Sequence, residues 1–205
     1  MQFQPFYKKI KNFRPVFTLD DLKTLFLDEK IAPKQLTRWQ SLGYLLKLKN
    51  GVYMLEDFKK SIHSFLVANI LYFPSYVSLE SALYEYGFIP DVPQTVTSVT
   101  TKKTWVHTNQ SGQFAYKKIK TDCFVGYKPA VYQGYPVMLA EPEKALVDFF
   151  YLNKSRLHKT EQVAELRLNS ENMREKIHKD KLRHYGLLFK SPLLNNLIKE
   201  LANQF

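Results

Sequence analysis

The chain has 205 residues, 45% of them apolar and 15% aromatic, which is ample for a folded core, and no run approaches the roughly 18 apolar residues of a membrane span. Its 30 lysines and arginines against 19 acids leave a net charge of +11, a balance that favours polyanionic partners such as nucleic acid or acidic protein surfaces. A single cysteine, Cys123, excludes an internal disulfide and a thiolate zinc site.

Met1–Lys11 lacks the apolar segment of a signal peptide, so the expectation is a cytoplasmic protein. Positive charge is denser at the front: Met1–Lys60 holds 12 basic and 6 acidic residues, and Ser61–Phe205 holds 18 and 13. Phe6, Ile10 and Phe13 recur at spacings of four and three, predicting a first helix whose other face carries Lys8, Lys9, Lys11 and Arg14. Thr18-Leu-Asp-Asp21 predicts a helix start with Thr18 as cap, followed by Leu22, Leu25 and Phe26 as the inward face and an end near Leu27. After a break at Asp28–Ala32, Pro33 fits the first helical position, Leu36, Trp39 and Leu42 form a buried side, and Gly43 supplies a left-handed stop.

At 100° per residue, with Leu36 and Trp39 inward, Lys34, Thr37, Arg38 and Ser41 point together to the opposite side. All four are hydrogen-bond donors, and donors on an outward helix face suit the acceptor-rich major groove of DNA. Next, Leu46-Lys47-Leu48-Lys49 alternates, Asn50-Gly51 has the chemistry of a type I′ turn, and Val52-Tyr-Met-Leu55 returns. Three helices followed by a hairpin are the order of a winged helix, with Lys47, Lys49 and Asn50 reaching phosphates or the minor groove. The plain alternative is a solvated helix face and an ordinary hairpin. Trp39 is read as core, and Cys123 as a buried or half-buried filler.

Beyond a weak boundary between Leu55 and Ser61, a helix is predicted over Ser61–Phe73, ended by Pro74, and another over Ser78–Tyr86, stopped at Gly87. Thr95–Thr101, Phe114–Ile119 after a Gly112 turn, and Ala130–Leu139 predict a small antiparallel sheet. Pro142 opens a helix with Ala145, Leu146, Phe149, Phe150 and Leu152, and amphipathic helices run on to Phe205 through Leu166, Met173, Ile177, Leu194, Leu197, Ile198 and Leu201. The fold class expected is α+β, with residues 1–60 a winged helix-turn-helix and 61–205 a mixed helical domain around the small sheet.

Catalysis is not expected. Seven glycines form no phosphate loop, the five histidines show no metal spacing, and no cofactor or metal is assigned. Glu141, Glu143, Lys144 and Asp148 suggest a metal-dependent nuclease, but Lys144 and Asp148 read more simply as a surface ion pair four residues apart, and Glu143 as a favourable charge at a helix start.

Several fragments fall in a familiar order: Gln35-Leu-Thr-Arg-Trp39, Gly43-Tyr-Leu-Leu-Lys-Leu-Lys-Asn-Gly-Val-Tyr53, Tyr76-Val-Ser-Leu-Glu-Ser-Ala-Leu83, Gly87-Phe-Ile-Pro90, Thr95–Thr101 and Glu141-Pro-Glu-Lys-Ala-Leu146. From about Thr18 to Leu152 the chain resembles the AbiEi family of antitoxins. The resemblance implies a winged helix that binds double-stranded DNA at its own promoter, as a dimer in one arrangement, and a C-terminal part that neutralises a nucleotidyltransferase-like toxin. It puts the DNA-contacting role on Lys34, Gln35, Thr37 and Arg38 and on Lys47, Lys49 and Asn50. The lysines replace an arginine-rich tip and favour phosphate contact over guanine reading. Ser78, Glu80, Thr97, Thr100, Thr101 and Glu143 are either caps and sheet-surface groups or a contact surface for the toxin or a second copy, which Lys102, Lys103, Lys117, Lys118 and Lys120 would extend. Rival readings are a stand-alone transcription factor that dimerises or senses a ligand through its C-terminal part, and a protein-interaction module that does not bind DNA.

Overall fold

A computed structural model describes residues 1–27, 31–154 and 166–203. α1 (Phe3–Phe13) buries Phe6 and Ile10 completely, while Phe13, its last residue, stays 42% exposed. α2 (Leu19–Leu25) begins where expected. Thr18 Oγ1 accepts the Asp21 N–H at 3.1 Å, Asp21 Oδ2 accepts the Thr18 N–H at 2.7 Å, and the Arg14 guanidinium lies 2.7 Å from the same carboxylate. This reciprocal cap satisfies donors that a bare helix start would leave open. Of the expected break, residues 28–30 lie outside the described residues.

α3 (Pro33–Ser41) carries Pro33 in its first turn and buries Leu36 and Trp39. The Trp39 ring sits 5.5 Å from that of Phe3 and 4.5 Å from that of Phe6, which makes it the centre of the first core. Leu42 departs from expectation: it caps the helix end, beyond the inward stripe, and is 53% exposed.

Three strands complete the front: β1 (Val16–Thr18), β2 (Leu45–Lys49) and β3 (Val52–Leu55), antiparallel in the order β1-β3-β2. The Asn50-Gly51 reversal is not type I′, which requires both residues at positive φ; only Gly51 has it, at +78°. The pairing slips by one residue between Lys47 and Lys49, so a bulge turns the hairpin tip. Both faces of this sheet are covered. Phe17, Leu45, Tyr53 and Leu55 join the core of α1–α3, whereas Val16, Leu48, Val52 and Met54 join the larger core behind.

That larger core surrounds a second sheet. A 3-10 turn (Glu56–Phe58) leads to α4 (Ser64–Leu71), β4 (Ser75–Val77), α5 (Leu79–Glu85), β5 (Thr95–Thr100), β6 (Trp105–Asn109) and β7 (Gly112–Lys118). There follow β8 (Tyr127–Tyr132), β9 (Tyr135–Ala140), α6 (Pro142–Leu152), α7 (Ser170–Lys176), α8 (Lys179–Leu188) and α9 (Pro192–Ala202). The strand order is β6-β7-β5-β4-β9-β8. The expected small antiparallel sheet is therefore a six-stranded mixed one. β7 folds back on β6 through the turn before Gly112, enters between β6 and β5, and so runs parallel to β5; β4 and β9 are also parallel. The single strand expected over Ala130–Leu139 is the hairpin β8–β9.

α4 packs on the face to which Tyr116 points, its hydroxyl donating to the Ala68 carbonyl at 2.7 Å. α5 packs on the other, where the Thr97 hydroxyl donates to the Ser78 carbonyl (2.9 Å) and accepts the Ser81 N–H (3.0 Å). Cys123 is fully buried, with its thiol 3.5 Å from the Leu188 carbonyl. Among the described residues no helix is long and apolar enough to cross a membrane. Residues 155–165 and 204–205, within the helical stretch expected to reach Phe205, lie outside the described residues.

Candidate nucleic-acid interface

The outer side of α3 is as the helical spacing requires: Lys34, Thr37, Arg38 and Ser41 are all exposed. Their chemistry differs from a row of four donors. The Thr37 hydroxyl donates to the Pro33 carbonyl at 3.2 Å and the Ser41 hydroxyl to the Thr37 carbonyl at 3.1 Å, so both turn lone pairs outward. Lys34 and Arg38 remain as outward donors, and among the described residues neither forms an ion pair with a carboxylate. Gln35 is half-buried and engaged. Its Oε1 reaches back to accept the Ala32 N–H (3.1 Å), the N3 half of a capping box whose N-cap half Ala32 has no side chain to supply, and its Nε2 donates to the Met1 carbonyl (2.9 Å).

The hairpin divides its polar residues in a similar way. Lys47 and Asn50 are exposed, while Lys49 is half-buried, its ammonium 5.2 Å from the Trp105 ring centroid and 5.8 Å from that of Tyr72. Burial, helped by the charge of Lys102, lowers the Lys49 pKa below its ordinary value. The Leu48 carbonyl accepts from His107 Nε2 (2.7 Å), which therefore carries a proton, and from Asn109 Nδ2 (3.3 Å). The tip is thus fastened to edge strand β6. The sequence analysis missed that strand, although Trp105, His107 and Asn109 alternate with Val106 and Thr108 as a strand should.

Behind this surface lies a polar set with no exposure. Lys144 and Asp148, expected as a surface pair, are an ion pair at 0% side-chain exposure. Tyr76 and Ser78 donate to Asp148 Oδ2 at 2.8 and 3.0 Å, and the Lys144 ammonium also donates to the Tyr76 hydroxyl at 2.8 Å. The reason lies in the neighbours, since Ala145, Leu146, Val147, Phe149 and Phe150 bury α6 on all sides. Glu143, also buried, accepts the His178 N–H at the start of α8 (2.9 Å), so it joins two helices as well as starting one. Sealed from solvent, this set ties α6 to β4.

The remaining polar residues fall into place around it. Thr100 donates to the Pro74 carbonyl (2.7 Å) and accepts the Lys102 N–H (3.1 Å); Lys102, Lys103, Lys117, Lys118 and Lys120 are exposed. Glu80 and Thr101 are half-buried. A cleft of about 480 Å³ opens between α1 and the α3–β2 turn, lined by Phe3, Tyr7, Tyr44 and Asp57 among others, away from the buried set. Among the described residues no three His, Cys, Asp or Glu side chains gather as a metal-binding group. No protein-family model matches the chain, and no curated protein shows significant sequence similarity to it.

Proposed function

We propose that this protein is a DNA-binding transcriptional autorepressor whose first sixty residues form a winged helix-turn-helix. The order α1-β1-α2-α3-β2-β3, with its small three-stranded sheet, supports that reading. The observation that carries it is the outer side of α3, where Lys34 and Arg38 stand exposed with no carboxylate partner among the described residues, ahead of the exposed Lys47 and Asn50 of the hairpin. In this reading α3 enters the major groove, Arg38 offers its fork to a base edge or phosphate, Thr37 and Ser41 accept from base amines, and the hairpin grips the adjacent backbone. Occupying the promoter excludes polymerase, and no chemistry is performed.

The resemblance to AbiEi antitoxins extends the proposal. The part after residue 60 neutralises a nucleotidyltransferase-like toxin in the cytoplasm, and co-expression with such a gene from the same operon tests this by growth rescue. DNA binding is tested on a labelled fragment of the protein's own promoter beside a scrambled fragment, over a salt series. Four to six neutralised phosphates give a log–log salt slope of about −4 to −5. Binding that is specific, salt-dependent and lost in a Lys34→Ala, Arg38→Ala double variant supports the repressor. A slope near zero sinks it and turns α3 into a protein-docking face.

A further inference from the structure

Lys49 lies at the end of β2 and Lys102 on the β5–β6 connection, yet their ammonium groups gather over one ring, 5.8 and 5.5 Å from the centroid of Tyr72. Lys49 also stands over Trp105. Two like charges held together repel, and the aromatic faces offset this only in part because they leave most of the N–H donors unmet. Among the described residues neither lysine has a carboxylate partner. The fold nevertheless holds the pair from both sides. On the hairpin, His107 and Asn109 fix the Leu48 carbonyl one residue before Lys49. On the β5–β6 connection, the Tyr72 hydroxyl donates to the Lys103 carbonyl at 3.1 Å, and Thr100 fixes the Lys102 N–H.

Two ammonium groups beside an aromatic platform, carried on fastened backbone and with no carboxylate partner among the described residues, match a tetrahedral oxyanion. Lysine recognises such a group as a point charge with rotatable donors, with no need for planar geometry. We propose that Lys49 and Lys102 together grip one phosphodiester group of bound DNA, so that the β5–β6 connection contributes a backbone contact next to the hairpin. The inference rests on the DNA-binding reading above. It also explains why the hairpin tip is fastened to β6, since a clamp of two jaws works only if their spacing is fixed.

The test measures the dissociation constant for the promoter fragment across a salt series with the full chain, Lys49→Gln, Lys102→Gln and the double variant, after thermal melts establish that all four fold alike. Each single variant is expected to bind about three- to tenfold more weakly, and the double variant to lose about 0.9 of slope in total, the share of one phosphate. The two affinity losses are also expected to be non-additive, because both side chains act on the same group. An unchanged slope in the double variant overturns the clamp while the DNA reading stands. So does an additive loss of about 1.8, which denotes two separate phosphates. Wild-type protein with no salt-dependent binding removes the DNA reading and the clamp with it.

Discussion

Lys144 and Asp148 meet one turn apart on α6 with neither side chain reaching solvent. Burial raises the Asp148 carboxyl pKa and lowers the Lys144 ammonium pKa, and their mutual contact opposes both shifts. Removing one partner leaves the other charged in a dry site. Asp148→Asn is expected to lower stability by about 3–5 kcal/mol, read as a fall in the urea midpoint. A Lys144→Met, Asp148→Leu double variant should recover much of that loss. A single variant as stable as wild type would mean that the buried set with Tyr76 does not hold α6 to β4.

Asp21 links stability of the helical front to acid. Burial pushes its carboxyl up, but hydrogen bonds from Arg14 and from the Thr18 backbone and hydroxyl outweigh this and hold the pKa below the ordinary value. A depressed folded-state pKa contributes stability in full above the unfolded value, near 3.9, and loses it as pH falls through the lower folded value. Trp39 fluorescence, isolated by a Trp105→Phe substitution in both proteins and followed below about pH 4, should therefore report a loss of stability that is weaker with Asp21→Asn than without it. Equal acid sensitivity in the two proteins would exclude Asp21 as the source.

Gln35 and Arg38 sit three residues apart on α3 and should separate cleanly. Arg38→Ala is expected to weaken DNA binding by about 1–3 kcal/mol at a single base pair if its fork reads a base, and uniformly over all sequences if it holds phosphate. Gln35→Ala is expected to leave sequence preference intact and lower thermal stability by about 0.5–1.5 kcal/mol, because the Ala32 N–H and the Met1 carbonyl lose their partner. A change of base preference in Gln35→Ala would give that residue a reading role after all.

Gly126 has a φ of +76°, and a Cβ there would meet the Tyr185 ring at 2.7 Å and Lys144 Cγ at 3.0 Å. The ring has little room to yield, because the Tyr185 hydroxyl donates to Glu141 at 2.6 Å. Gly126→Ala should cost about 1–3 kcal/mol from overpacking, with left-handed strain in addition. Calorimetry showing an unaltered melting temperature would contradict this.

What the sequence made legible was local. The Thr18 cap, Pro33, the Leu36 and Trp39 face and the Asn50-Gly51 reversal each depend on residues within one turn or one hairpin, and the outward row on α3 follows from helical arithmetic. β1 and β4, three residues each, are too short for alternation to show, and the parallel pairing of β5 with β7 depends on which strand inserts where. Gln35 and Lys49 look free in sequence because Met1 and Trp105 lie far along the chain. Lys144 and Asp148 have the spacing of any exposed i,i+4 pair. The signal that α6 is buried all round was present in Ala145-Leu-Val147 and Phe149-Phe150, apolar on every side of the helix.

β3 turns Tyr53 and Leu55 toward the helices before it, and Val52 and Met54 toward the core behind it. The front of the molecule is therefore not a cassette. Cut out and grafted onto another protein, it would carry Val16, Leu48, Val52 and Met54 as an open greasy seam, inviting aggregation or demanding a new cover. Substitution at exposed positions such as Lys34 and Arg38 alters the outer surface of the front without opening that seam.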